Sequence, residues 1–176
     1  MIITVFEDSK YSSLFPLNLN RISCELRCGA FTNLERINNL ITPGDSIQLV
    51  VRNELTTLIQ ERYPNIKVNS EMVSKGIWLN GRGLWNEKII QKITSGRSYS
   101  NKGILLACQT HEDIPLKDFH SHLDSGSNVS TEIDIHFIKN IWDGIFLQSE
   151  VIVADAQNFI DYQQGGIHPT VAIENG

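Results

Sequence analysis

Apolar and polar positions change their period several times along this chain, and each change marks an element. Ile2 to Phe6 is a continuous apolar run, rich in β-branched side chains and closed by Glu7-Asp8-Ser9, which predicts a buried strand. NLERINNLI then places Leu34, Ile37, Leu40 and Ile41 on one helical face before Pro43-Gly44 stops it. SIQLVV (46–51) predicts a second strand. Asn53 reads as the N-cap of ELTTLIQERY, whose Leu55, Leu58 and Ile59 share a face ahead of Pro64. IKVN (66–69), GIWLNG (76–81) and GILLAC (103–108) are further strand candidates, and Asn86 caps a predicted helix in NEKIIQKI. Strand and helix keep alternating, the pattern of a mostly parallel sheet covered by helices, so the fold class is α/β.

Two stretches break this rhythm. Gln109 to Ser130 is polar, with Pro115 and DSGSN, and predicts a long surface connection. TEIDIHF (131–137) alternates, with Ile133, Ile135 and Phe137 on one side and Glu132, Asp134 and His136 on the other, which predicts a half-buried strand near an edge. Beyond it, Ile138, Ile141, Trp142, Ile145, Phe146, Ile152, Val153, Ala156, Phe159 and Ile160 follow helical spacing, broken only by Ser149. One long amphipathic helix over 138–163 is expected to close a domain spanning 1–163, with Gly165-Gly166 as its stop. In the tail, Ile167 and Ile173 are six apart and Val171 falls between them. Six-residue aliphatic periods build left-handed β-helices, and one hexad cannot bury its own face. Residues 167–176 therefore read as the first coil of a second domain, truncated here, with a polar tail as the alternative.

Composition narrows the partners. A chain of 176 residues with 41% apolar content suits one domain with a short appendage. A formal charge of −5 and the lack of a basic stripe argue against nucleic-acid binding, leaving a small molecule or a protein as partner. Cys24, Cys28 and Cys108 are odd in number and lack metal-site spacing, so packed, reduced thiols are expected. MIITVFEDSK has no cationic start, and no apolar run reaches the ~20 residues of a membrane span. A cytoplasmic protein without membrane contact follows as the expectation. In DFHSHLD, His120 and His122 would share a face on a strand, flanked by Asp118 and Asp124. A metal hydrolase built on that pair is the weaker reading beside a solvated loop. No nucleophile elbow, phosphate-binding Gly-Lys-Ser/Thr loop or dinucleotide fingerprint occurs.

The opening segment carries more. Pro16-Leu17-Asn18-Leu19-Asn20-Arg21, then Leu26-Arg27-Cys28-Gly29, then Glu35-Arg36 follow the first strand in that order. WLNGRGL (78–84) and NIWDGIFLQSEVIVADAQNFI come later, and HPTVAIENG ends the chain. Together these resemble bacterial sugar nucleotidyltransferase-like proteins, relatives of N-acetylglucosamine-1-phosphate uridyltransferase. The resemblance implies a Rossmann-like sheet of the nucleotide-diphospho-sugar transferase type, a bridging helix and a left-handed β-helix that would make the whole protein a homotrimer. It also implies a reaction in which a sugar 1-phosphate attacks the α-phosphate of a nucleoside triphosphate and releases pyrophosphate, assisted by Mg²⁺. On that scheme Arg21 and Arg27 hold phosphate, because a planar guanidinium grips two oxygens at once. Asp8, Lys10, Asn80, Gly81 and Arg82 would line the substrate pocket, and no residue is assigned to metal.

Two features depart from the family's scheme. There is no glycine from Phe6 to Asn20, and Asn80-Gly81 stand where a magnesium-binding carboxylate is expected. A catalytically degenerate nucleotide-sugar-binding or assembly domain is therefore the competing function. For the arginines, the competing role is an ion pair with Glu25 or Glu35 that pins the loop.

Overall fold

Ile2–Phe6 forms β1, in which every residue after Ile2 is buried, as expected of a strand covered on both faces. The computed structural model describes residues 1–93, 97–127, 130–157 and 159. After β1 the chain wanders through short 3₁₀ turns at Tyr11–Leu14 and Ser23–Glu25 before a small hairpin, β2 (Arg27–Cys28) and β3 (Phe31–Thr32). Helix α1 (Asn33–Asn38) opens on a capping box: Glu35 N donates to Thr32 Oγ1 at 3.1 Å, and Thr32 N donates to the Glu35 carboxylate at 2.7 Å. Next come β4 (Ser46–Val50), α2 (Thr56–Arg62), β5 (Lys67–Val68), β6 (Met72–Val73) and β7 (Gly76–Asn80). The order ends with α3 (Glu87–Ile90), β8 (Ser98–Asn101), β9 (Ile104–Thr110), β10 (Ile114–Pro115), α4 (Phe119–Ser127), β11 (Ser130–Glu132) and α5 (Ile141–Ala156).

Seven strands make one sheet in the order β11-β8-β9-β7-β1-β4-β5. β1 is parallel to both β4 and β7, and β4 to β5, while β9 runs antiparallel between β7 and β8. The expected α/β class with a mostly parallel sheet is what the chain forms. Side chains alternate between two cores. Ile3, Val5, Leu49, Ile77 and Leu79 pack with α1 and α2 on one face, whereas Phe6, Val50, Trp78 and Leu105 pack with Phe119 and Leu123 of α4 on the other. Among the described residues no helix is long and apolar enough to cross a membrane.

Several expectations are corrected. The stretch 109–130 is not a surface connection, because β9 continues to Thr110 and α4 supplies nine helical residues. Phe119 is fully buried, with its ring 4.8 Å from Trp78 and 5.8 Å from Phe6. The strand predicted over 131–137 pairs with β8 only through Glu132, although Ile133, Ile135 and Phe137 are buried as their alternation predicts. Asn53 opens a 3₁₀ turn ahead of α2 and not the helix itself, whereas Asn86 caps α3 as expected, accepting from Ile89 N at 3.0 Å. β8 had no strand signal.

The closing helix differs most. It begins at Ile141, capped by Asn140, and its apolar stripe faces away from the domain: Trp142, Ile145, Phe146, Ile152 and Val153 are exposed. Its inner side instead hydrogen-bonds the β2–β3 hairpin. Gly29 N donates to Gln148 Oε1 at 3.0 Å, and Ala30 N donates to Asp155 Oδ2 at 2.9 Å. Gly29, at φ 77°, sits so close to α5 that a Cβ would lie 2.3 Å from Asp155 Oδ2 and 2.6 Å from Val151 Cγ1. The predicted end of the bridging helix and the β-helix coil at 167–176 lie outside the described residues.

Candidate active site

In open α/β sheets ligands gather outside the carboxyl ends of the parallel strands. Here that edge is formed where Phe6 of β1 is level with Val50 of β4 and Asn80 of β7. Antiparallel β9 starts at the same edge, so a cavity of about 280 Å³ opens there between β1, the β8–β9 turn and α4. Its lining includes Asp8, Ser9, Lys10, Gly103, His120 and Asp124.

Asp8 is held from three sides. Its Oδ1 accepts from Lys10 N at 2.9 Å, and its Oδ2 accepts from Asn80 Nδ2 at 2.8 Å and from Arg82 Nη2 at 2.5 Å. Asn80 also donates to Leu105 O and accepts from Arg82 N, so its amide ties β7 to both β9 and the loop after β1. Arg82 is 1% exposed, its guanidinium lies 4.6 Å above the Phe137 ring, and it donates to Lys139 O at 3.2 Å. Arg82 does not line the cavity; it fixes Asp8 and the turn beyond it. Gly81 is likewise structural in its contacts: its N donates to Phe6 O, its O accepts from Asn33 Nδ2, and a Cβ would meet Cys24 Cβ at 2.9 Å. Of the predicted residues at this edge, Asp8 and Lys10 face the cavity while Asn80, Gly81 and Arg82 buttress it.

The glycine-free loop is held by a carboxylate and an arginine that sequence reading missed. Glu7 accepts from Ser23 N and Oγ at 2.9 and 2.8 Å and from Arg52 Nη1 at 2.6 Å. Arg52 also donates to the carbonyls of Asn18 and Arg21 and lies 4.7 Å over the Tyr11 ring. Within the loop, successive i to i+3 turns use the N–H groups of Tyr11, Ser13, Phe15, Leu17, Leu19 and Arg21. Those donors point into the loop itself. Glu7 directly follows β1 and Arg52 lies just past β4, so strand pairing brings them together across 45 residues.

Arg21 and Arg27 are placed elsewhere on this loop and its hairpin. Both line a cleft of about 570 Å³ reaching to α1 and α2 and one of about 800 Å³ reaching to α5. Arg27 Nη2 is 3.3 Å from Glu35, the ion pair that is the alternative to phosphate, and Arg27 also donates to Ala30 O. Glu25 pairs with Arg62 at 2.5 Å and accepts from Tyr63 Oη at 2.9 Å, not with Arg21. Burial and the nearby Glu25 push the Tyr63 phenol well above its usual value. Arg21 is exposed, and its side chain forms no ion pair or hydrogen bond among the described residues.

His120 and His122 lie on α4, not on a strand, so they point to different sides. His120 lines the cavity at the carboxyl edge, and the His122 ring packs edge-on to Trp78 at 5.5 Å. Among the described residues no three His, Cys, Asp or Glu side chains converge as a metal site. Both Asp8 oxygens already accept hydrogen bonds and Asn80 turns a donor toward Asp8, so these residues do not fit a protein-held Mg²⁺. The three cysteines are buried and free. Burial raises all three thiol pKa values, that of Cys108 to about 12.

A Rossmann-like mostly parallel sheet with a crossing antiparallel strand, and a cation-bearing loop leaving its central strand, define a nucleotidyltransferase-type fold. The chain belongs to the sugar nucleotidyl transferase family, whose pattern matches residues 3–163. None of the curated proteins matches it. The chemistry of that family is nucleotidyl transfer.

Proposed function

We propose that the protein transfers a nucleotidyl group from a nucleoside triphosphate to a sugar 1-phosphate, giving a nucleotide sugar and pyrophosphate. The observation that carries this reading is the cavity at the carboxyl edge of β1, with Ser9 and Lys10 on its wall directly after a rigidly held Asp8. A phosphate oxygen of the sugar attacks the α-phosphorus as the bond to the pyrophosphate leaving group breaks. The Lys10 ammonium neutralises triphosphate charge, and Asp8, through Arg82 and Asn80, positions the backbone that carries Lys10. Arg21, the exposed loop cation without an ion pair among the described residues, lines the separate clefts toward α1, α2 and α5 and is given no phosphate in this cavity. Mg²⁺ enters as the magnesium complex of the triphosphate, part of the substrate. Incubating the protein with each nucleoside triphosphate and a panel of sugar 1-phosphates should release pyrophosphate for one pairing and yield its nucleotide sugar by mass spectrometry. No pyrophosphate from any pairing would remove the transfer reaction.

The second reading is a binding or assembly domain that no longer transfers. The turn-closed loop favours it, since six of the loop's N–H groups are spent on its own carbonyls and are withheld from phosphate. Ligand-induced stabilisation without pyrophosphate release would select this reading.

A further inference from the structure

The cavity at the carboxyl edge has two unlike walls. The loop after β1 brings Ser9 and Lys10, whereas α4 brings His120 and Asp124, and Phe6, Leu105 and Leu123 form the apolar part between them. α4 is placed by Phe119 and Leu123, which pack at i and i+4 into the core beside Phe6 and Trp78. His120 and Asp124 each follow one of those anchors by one position, so both stand on the side of the helix that borders the cavity. The His120 ring lies edge-on to Phe119 at 5.5 Å, a contact that limits how the imidazole can turn.

A site for phosphate alone would not set a carboxylate in the same cavity as its lysine. Carboxylate and imidazole suit hydroxyl groups instead, and a carboxylate can accept from two neighbouring hydroxyls at once. Asp8 is taken, because its oxygens already accept from Lys10 N, Asn80 and Arg82. Asp124 also interacts within the chain, but a carboxylate has about four acceptor positions and keeps room for a hydroxyl beside such a partner. At about 280 Å³ the cavity falls just below the roughly 300–1,000 Å³ that enclose a drug-sized ligand, so it suits one sugar with its phosphate and not two whole substrates. Resting on the reading that Lys10 holds the triphosphate, we propose that α4 reads the ribose. Asp124 accepts its vicinal 2′- and 3′-hydroxyls with His120 beside them, which makes the substrate a ribonucleoside and not a deoxyribonucleoside triphosphate.

The experiment is calorimetric titration of each common ribonucleoside triphosphate and its 2′-deoxy counterpart, as magnesium complexes, into the wild-type chain and Asp124→Ala. Asp124 is exposed, so the variant should keep the wild-type melting temperature. The triphosphate that binds the wild type should bind about tenfold more weakly without its 2′-hydroxyl, and the two forms should bind Asp124→Ala equally. Equal affinity of the two forms for the wild type overturns the proposal and leaves the triphosphate reading standing, whereas no binding of any triphosphate removes both. A gap that persists in Asp124→Ala overturns it too, since the ribose would then be read elsewhere. So does tighter ribonucleotide binding by that variant, which would mean that the carboxylate only repels phosphate. A sugar 1-phosphate carries hydroxyls of the same chemistry, and titrated alone it should bind both proteins equally. A loss of its affinity in Asp124→Ala would put the acceptor sugar against α4 and overturn the proposal.

Discussion

Arg82→Met tests whether the turn after β7 is held by charge or by packing. The methionine keeps most of the side chain's apolar volume and removes the guanidinium. It leaves Asp8, only 14% exposed in its side chain, without its 2.5 Å partner, and takes one of two donors from the carbonyl of Lys139, which keeps Ser13 Oγ. Breaking a buried pair by removing one partner costs about 3–5 kcal/mol, far more than the pair contributes relative to an apolar replacement. In a chain of this size each kcal/mol moves the melting midpoint by roughly 2–4 °C, so a loss of about 6–20 °C is expected. Asp8→Asn should also destabilise, because it strands the Arg82 charge at 1% exposure. The double variant should lose less than the sum of the two, with a coupling of about 2–3 kcal/mol in a cycle measured by urea unfolding. Additive losses, or a cost below about 1 kcal/mol for Arg82→Met, would refute the claim that this pair organises the carboxyl edge.

Gly29→Ala should destabilise by about 2–4 kcal/mol in the same unfolding assay, since a side chain at φ 77° is strained and its Cβ would drive Asp155 and Val151 of α5 away. Phe119→Ala should cost about 3–5 kcal/mol, although its segment reads as polar, because the ring fills the core between Phe6 and Trp78. Native protein at pH 8 should show almost no reaction of Cys24, Cys28 or Cys108 with a thiol reagent, and all three should titrate in denaturant, because burial holds each thiol protonated.

The parallel sheet was legible because β1, β4, β7 and β9 are largely apolar, β-branched or buried runs, and such runs mark strands covered on both faces. α4 was not, because only Phe119 and Leu123 of its nine residues are buried apolar anchors, and one i,i+4 pair among polar neighbours carries no periodic signal. α5 was visible as a helix, yet its orientation was misread. The side that meets the domain buries Val151, with Leu147 beside it, and adds polar contacts to the hairpin through Gly144, Gln148 and Asp155, so the longer apolar stripe pointed the wrong way. At the site, Asp8, Lys10, Asn80 and Arg82 fall together because all four follow the ends of adjacent strands. Arg27 proved paired, and the clamp of Glu7 and Arg52 stayed hidden because its two halves meet only through the β1–β4 register.

The central claim, that the cavity beside Lys10 receives the nucleotide, is tested most directly by calorimetric titration of nucleoside triphosphates into the wild type and Lys10→Ala. The account predicts that one triphosphate binds the wild type and that Lys10→Ala weakens it about tenfold, the loss of one charge-assisted contact of roughly 1.4 kcal/mol, with an unchanged melting temperature. Equal affinity for both proteins, or no binding to either, would contradict it.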